Sequence, residues 1–363
     1  MTEPQSDPRF VTTETPAGIL TVDPALGNIR HLAFHTGDRV IAPLHAAPWI
    51  EEPETEALPL APVERHLSGD FFCAPFGAND LDAAPIHGWS ANSPWALLDR
   101  GAGTLAFRLE RPVMGARIEK TLRLAPDAPL LYQRHEIAGG EGGLTVAHHP
   151  MLHMEEGGRI DVSPKRFAMT PELPLVPGRN RLACADETRD LARVLTSRGD
   201  TCDLHRFPPG ERNEDFITLV EADDSPLGWT AVIREAEDDI VFVLKNPAQL
   251  PVTMLWISNG GRDFPPWNGR HRGVLGIEDG CAAGAAGHRA ALGENPLAAR
   301  GVRTRIDLGP GRRHRIDHVI GAVPRPAGWT EIGGIAVSGD RLTLSEAGGE
   351  GLDLPFRAGF FDA

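Results

Sequence analysis

The strongest constraint on this chain is an alternation of period two that recurs along most of its length. Leu105, Phe107 and Leu109 alternate with small or polar neighbours in TLAFRLE, and Ile118, Leu122 and Leu124 share one parity in RIEKTLRL. Successive side chains of an extended strand point to opposite faces, so this spacing predicts strands with one buried face. Short apolar runs continue the pattern in LTVAHHP, FITLVEA, WTAVIRE, IVFVLK, VTMLWI, RTRIDL and HRIDHVIG. The 40 Gly and 32 Pro supply turn residues for many reversals. Neither the strand–helix alternation of a doubly wound sheet nor a fixed-period repeat is present. The best helical stretch, CAAGAAGHRAALGE (281–294), is interrupted by glycine and reads as a short helix or a loop. These patterns predict an all-β protein, a sandwich or a barrel: one large β-domain over 1–325, with a C-terminal extension (326–363) packed on the same domain, as an appended hairpin.

Charge narrows the function. The chain of 363 residues carries 36 Lys+Arg against 50 Asp+Glu, a net charge of −14, with no basic run, which argues against a nucleic-acid partner. Its three lysines, Lys120, Lys165 and Lys245, leave none for a P-loop. Cys73, Cys184, Cys202 and Cys281 form no CxxC pair, so a reduced, cytoplasmic protein is expected, without a zinc ribbon or dithiol centre. The start, MTEPQSDPRF, is polar and predicts no secretory signal. No apolar run approaches the about 18 residues that cross a bilayer, so no membrane partner is expected. Serine-hydrolase (GxSxG) and zincin (HExxH) patterns are both missing.

Three segments place ionisable residues at the ends of apolar runs: IHGWSANSPW (86–95), TVAHHPMLH (145–153) and VLGIEDG (274–280). If 145–153 is extended, His149, Met151 and His153 share one face and His148 takes the other. Two histidines four apart on a strand lie about 13 Å apart, too far to share a metal unless Pro150 bends the chain. The plainer reading is a buried, hydrogen-bonded histidine. A metal centre of cupin type from His148, His149, His153 and Glu155 has the wrong spacing in HHPMLHMEE. Glu278 is either a turn residue or a carboxylate placed over a cavity. Gly276, two positions earlier on the same face, would leave room for a ligand to approach the sheet. Trp89 and Trp95 bracket a polar stretch, as aromatics beside a sugar site do, or pack together in the core.

Taken together and in order, these segments resemble the galactose mutarotase-like superfamily, the aldose 1-epimerases and their relatives. The likeness covers roughly residues 15 to 322. It rests on His87-Gly88-Trp89 followed by Asn92 and Trp95, on His149-Pro150-Met151-Leu152-His153, and on Ile277-Glu278-Asp279-Gly280. LGPGRRHRID is similar to the family's entry into its last strand. The resemblance implies a large antiparallel β-sandwich of supersandwich type, galactose mutarotase-like, with the site on a concave sheet face. It also implies an isomerase that interconverts the anomers of a free sugar by acid–base ring opening. Glu278 would be the base, His149 the acid, and His87 would hold the sugar hydroxyls or the ring oxygen. Asn79, Trp89, His153, Asp215 and Trp267 would contact the substrate, and no metal or organic cofactor is implied. The partner would be a small sugar, and the chain a monomer or homodimer.

Departures from the family pattern matter. Where relatives carry an Asn-Arg pair before the HG motif, this chain reads PFGAND, and where HGFAR has its arginine it has Ala91. A phosphosugar substrate is therefore disfavoured, unless Arg262, Arg270 or Arg272 compensates. Two other functions remain open: a carbohydrate-binding protein without turnover, and a glycoside-active enzyme. The latter needs two carboxylates about 5–10 Å apart. A histidine facing Glu278 would favour epimerisation.

Overall fold

The computed structural model describes residues 7–81 and 83–362. The alternation is realised as two large antiparallel sheets packed face to face. The front sheet has eight strands: Glu187–Thr188, Lys165–Met169, Asn213–Glu221, Val252–Asn259, Val274–Cys281, Val146–His148 and Phe72–Cys73 in order, with Met151–His153 also paired to Val274–Cys281. The back sheet has nine, with Asp239–Lys245, Arg313–Pro324, Leu130–Gly139 and Ala116–Leu124 at its centre. The fold is all-β.

Central strands of each sheet, such as Asn213–Glu221 and Asp239–Lys245, bury both faces, whereas Ala116–Leu124 of the back sheet alternates buried with exposed residues. Ile217, Leu255, Leu275 and Ile277 of the front sheet meet Phe107, Leu131, Val241 and Ile320 of the back sheet in the shared core. The residues between them in sequence point the other way. Phe216, Met254, Trp256 and Val274 pack beneath loops that bring in Trp49, Phe71, Phe76 and Trp267. A two-residue period therefore sends neighbours such as Glu278 and Asp279 into different environments.

The C-terminal segment covers the outer face of the back sheet over Leu130–Gly139, Gly228–Arg234, Asp239–Lys245 and Arg313–Pro324. It forms a three-stranded sheet, Ile332–Ser338, Arg341–Glu346 and Gly351–Pro355, rather than the expected hairpin. Ile335, Leu342, Leu344 and Phe356 pack against Tyr132, Trp229 and Phe242 there. The Arg357 amide donates to the Tyr132 hydroxyl at 2.8 Å. In 281–294 the glycines win over the alanines: only His288–Leu292 is α-helical, and Gly287 before it has a φ of 88°. No helix among the described residues is long and apolar enough to cross a membrane.

Candidate active site

The site begins at a break in a strand. Val146–His148 and Met151–His153 both pair with Val274–Cys281, and Pro150 between them has no amide hydrogen for the ladder. Its carbonyl instead accepts from the Ile277 amide at 2.9 Å. At this break the His149 side chain turns to the outer face of the front sheet, where Glu278 also points. His149 Nε2 lies 3.1 Å from Glu278 Oε1, and the two side chains are only 4% and 3% exposed. Phe71 stacks on the His149 ring at 4.5 Å, and Trp256 meets it edge-on at 5.7 Å. From behind, Asp70 Oδ1 accepts from the His149 amide at 2.8 Å.

His87 arrives from a tight loop. Its φ is 64° and that of Gly88 is 71°. A Cβ on Gly88 would lie 1.9 Å from the Ala74 carbonyl oxygen, so that position admits only glycine. The His87 ring stands perpendicular to His149, with centroids 5.2 Å apart. His87 Nδ1 accepts from the Gly77 amide at 3.4 Å and lies 3.3 Å from Cys73 Sγ. With Nδ1 an acceptor, the neutral ring carries its hydrogen on Nε2.

His87, His149, Glu278 and Trp267 line one cavity of about 240 Å³. Its other walls include Leu67, Phe76, Phe216 and Trp256, together with the Arg262 side chain. Arg262 stacks on Trp267 at 4.3 Å and pairs with Glu214 at 2.9 Å. Glu214 also accepts from Trp256 Nε1 at 2.7 Å and from Ser258 Oγ at 3.0 Å. This network fixes both the guanidinium and the indole that form the cavity wall.

Burial governs the protons here, because it penalises the charged form of each group. It pushes the Glu278 carboxyl well above the usual carboxylate range, against the opposing pull of Arg262. It lowers the His149 imidazole to about 4. His87 is also held well below its ordinary value, by burial first and then by His149 and Arg262. Burial thus favours the uncharged form of both partners, the carboxylic acid of Glu278 and the neutral imidazole of His149.

The remaining predicted residues lie elsewhere. Trp89 packs against the main core beneath the Arg111 guanidinium, 3.5 Å from its ring centre, and does not line the cavity. His153 stacks on His45 at 5.6 Å in a separate pocket. Asp215 points to the opposite face from Glu214, and its carboxylate accepts from the Arg181 and Leu182 amides at 3.0 and 2.8 Å. Asn79 follows the lining residues Gly77 and Ala78, and its side chain accepts from the Leu81 amide at 3.3 Å. The room beside Gly276 is not left for a ligand: a Cβ there would lie 3.2 Å from the Trp256 ring and from Glu278 Oε1.

His148, His149 and His153 diverge, so they do not form a common metal site. Asp70, His148 and His318 do bring potential ligand atoms within 4.8 Å of one another. The two imidazoles, however, are stacked 4.3 Å apart and nearly parallel at 11°. Ring nitrogens offer lone pairs in the ring plane, and parallel planes do not converge on one ion. Each ring instead bonds a carboxylate, His148 to Asp70 and His318 to Asp279.

Sequence reasoning missed Trp256 and Glu214, and it named Arg262 only as a substitute phosphate ligand. Trp256 and Glu214 sit on regular strands with the parity of Phe216 and Met254, and that shared parity was the available signal.

No family model and no curated protein sequence matches the chain. Solved structures do. A candidate aldose 1-epimerase from Escherichia coli K12 superposes with a TM-score of 0.59 over 86% of this chain and 98% of its own, at 14% identity. The chain carries the galactose mutarotase-like fold. A galactose mutarotase related enzyme from Lactobacillus acidophilus matches at TM-score 0.55 and 11% identity, over 88% of this chain and 98% of that one. An aldose epimerase homologue from C. elegans matches at 0.53 and 12%, over 87% and 99%. At these identities the likeness establishes the galactose mutarotase-like fold and not the reaction.

Proposed function

We propose that this protein is an aldose 1-epimerase, interconverting the α and β anomers of a free sugar. The observation that carries the reading is the Glu278–His149 pair: a buried carboxyl and imidazole in contact on a cavity wall, with burial favouring the uncharged form of each. Anomer exchange needs that combination. A base takes the proton of the anomeric hydroxyl while an acid protonates the ring oxygen, and the C1–O5 bond opens. Rotation about C1–C2 and reclosure, with the same two groups in reversed roles, gives the other anomer.

Carboxylic acid with imidazole, and carboxylate with imidazolium, contain the same number of protons. The pair thus supplies one acid and one base, and Glu278 as base with His149 as acid is one way of writing it. In the free protein the two groups bond each other; with substrate, each would bond one sugar oxygen. His87 Nε2–H and the Arg262 guanidinium are donors for the hydroxyls, and Trp256 and Trp267 offer faces to the C–H surface. At about 240 Å³ the cavity is smaller than the roughly 300–1,000 Å³ of pockets for drug-sized ligands, which suits a single sugar ring.

A glycosidase reading is not favoured, because among the described residues the carboxylates near Glu278 are otherwise engaged. Asp279 points to the sandwich interior, and Glu214 is engaged by Arg262, Trp256 and Ser258. Glu64 lines the cavity but accepts from the Ala61 amide at 3.1 Å. The test is two-dimensional exchange NMR of anomeric protons over a panel of free aldoses. Acceleration by the parent that is lost in Glu278→Gln is the expected result. No acceleration with any aldose would refute the reading.

A further inference from the structure

A second pocket, of about 600 Å³, lies beside the cavity, between the segment 39–48 and the hairpin that joins Gly228–Arg234 to Asp239–Lys245. One layer of side chains divides the two. His271 meets His45 of this pocket edge-on at 4.8 Å and stacks on Trp256 of the cavity at 5.4 Å. Four arginines line the pocket, in a chain whose net charge is −14. Two are neutralised: Arg234 binds the Asp239 carboxylate with two nitrogens, at 2.8 and 2.6 Å, and Arg270 pairs with Glu52.

The other two are not. Arg39 donates to the backbone carbonyls of Glu237 and Asp238 at 2.7 and 3.1 Å, and Arg272 Nε donates to the Gly269 carbonyl at 2.7 Å. Neither forms an ion pair with a carboxylate among the described residues. Two further lining groups lack partners: His45 Nε2 and Glu237 Oε2 are buried without a hydrogen bond. Burying polar atoms unpaired is costly, so a pocket that collects them is suited to a ligand that completes them.

We propose that this pocket binds a small organic phosphomonoester. The two guanidiniums without carboxylate partners outnumber the one unpaired lining carboxylate, Glu237, so the lining keeps an excess of positive charge and forked donors for the oxygens of a phosphoryl group. The volume far exceeds that of the phosphoryl group alone and accommodates an organic body. Glu237 Oε2, as a bare acceptor, calls for a hydroxyl donor on that body. The site is separate from the Glu278 cavity and independent of the reaction assigned to it.

Isothermal titration of the full-length protein at constant ionic strength tests this. The probes are glycerol 3-phosphate, inorganic phosphate, glycerate and glycerol. Glycerol 3-phosphate is expected to bind most tightly. Arg272→Gln should weaken it about tenfold, the loss of one charge-assisted contact. Arg39→Gln with Arg272→Gln should weaken it further, whereas Glu278→Gln should leave it unchanged. Glu237→Gln should reduce the advantage over inorganic phosphate. No saturable binding of glycerol 3-phosphate at millimolar concentrations would overturn the assignment. So would equal binding of inorganic phosphate or glycerate, or unchanged affinity in a folded Arg272→Gln protein.

Discussion

Glu278 and Asp279 are neighbours on one strand, yet they face opposite worlds. Glu278 points to the cavity, where its close partner is an imidazole and its carboxyl is pushed up by burial. Asp279 points into the sandwich, where Lys245 lies at 2.9 Å, His318 at 3.0 Å and Thr253 Oγ1 at 2.7 Å. There the Lys245 ammonium and the hydrogen bonds outweigh burial, and the carboxyl is held well below its usual range. The histidines repeat the contrast: His149 serves the cavity, and His148 bonds Asp70 in the core. Beyond Asp279 the core network runs through Lys245 and Glu221 to Lys165. Burial alone thus does not decide a carboxyl's state. At Asp279 a fixed cation and donors outweigh burial and favour the anion, whereas at Glu278 burial outweighs the pull of Arg262 and favours the acid form.

Substitutions on either side of this strand should break different properties. Glu278→Gln preserves shape and should lower anomer exchange by about 10²–10⁴-fold, the usual worth of a positioned acid–base group, with little loss of melting temperature. Asp279→Asn should do the reverse. It leaves Lys245 short of a counter-charge in the core, and about 3–5 kcal/mol of stability should be lost in denaturant melts. Exchange by the protein that remains folded should stay within a few-fold of the parent.

The pH dependence should carry opposite signs. Glu278 has a raised folded value, so its contribution to stability is present below the unfolded value near about 4.3 and is lost as pH rises through the folded value. Asp279 has a lowered one, so its contribution is present above about 3.9 and is lost as pH falls. Relative to the parent, Glu278→Gln should gain melting temperature as pH is raised from about 4. The deficit of Asp279→Asn should be largest near neutrality and shrink in acid. The smallest effect concerns the tryptophans. Trp267→Ala should weaken sugar binding by about 3–10-fold, as the loss of an aromatic face would. Trp89→Ala, outside the cavity, should leave it unchanged, as read by titration of the parent's preferred aldose.

Local pattern explains what was legible before the fold was seen. The strands follow from alternation, and the opposite facing of His148 and His149 follows from parity. The segment around Glu278 stood out as a carboxylate at the end of an apolar run. Contacts assembled from distant segments were not legible. Arg262 reaches the cavity from the loop after Val252–Asn259, and Asp70 supports His149 from 79 residues earlier. Trp89 and Trp267 look alike in sequence, but only the loop geometry sends Trp267 into the cavity and Trp89 beneath Arg111. Gly276 signalled a close approach correctly, but the occupant is the Trp256 side chain from the adjacent strand.

The most direct measurement is infrared difference spectroscopy at neutral pH, subtracting each variant's spectrum from the parent's. Subtracting Glu278→Gln should reveal the carbonyl stretch of a protonated carboxylic acid, and subtracting Asp279→Asn the bands of an ionised carboxylate. A carboxylate signal for Glu278, or the same protonation state at both positions, would contradict the account.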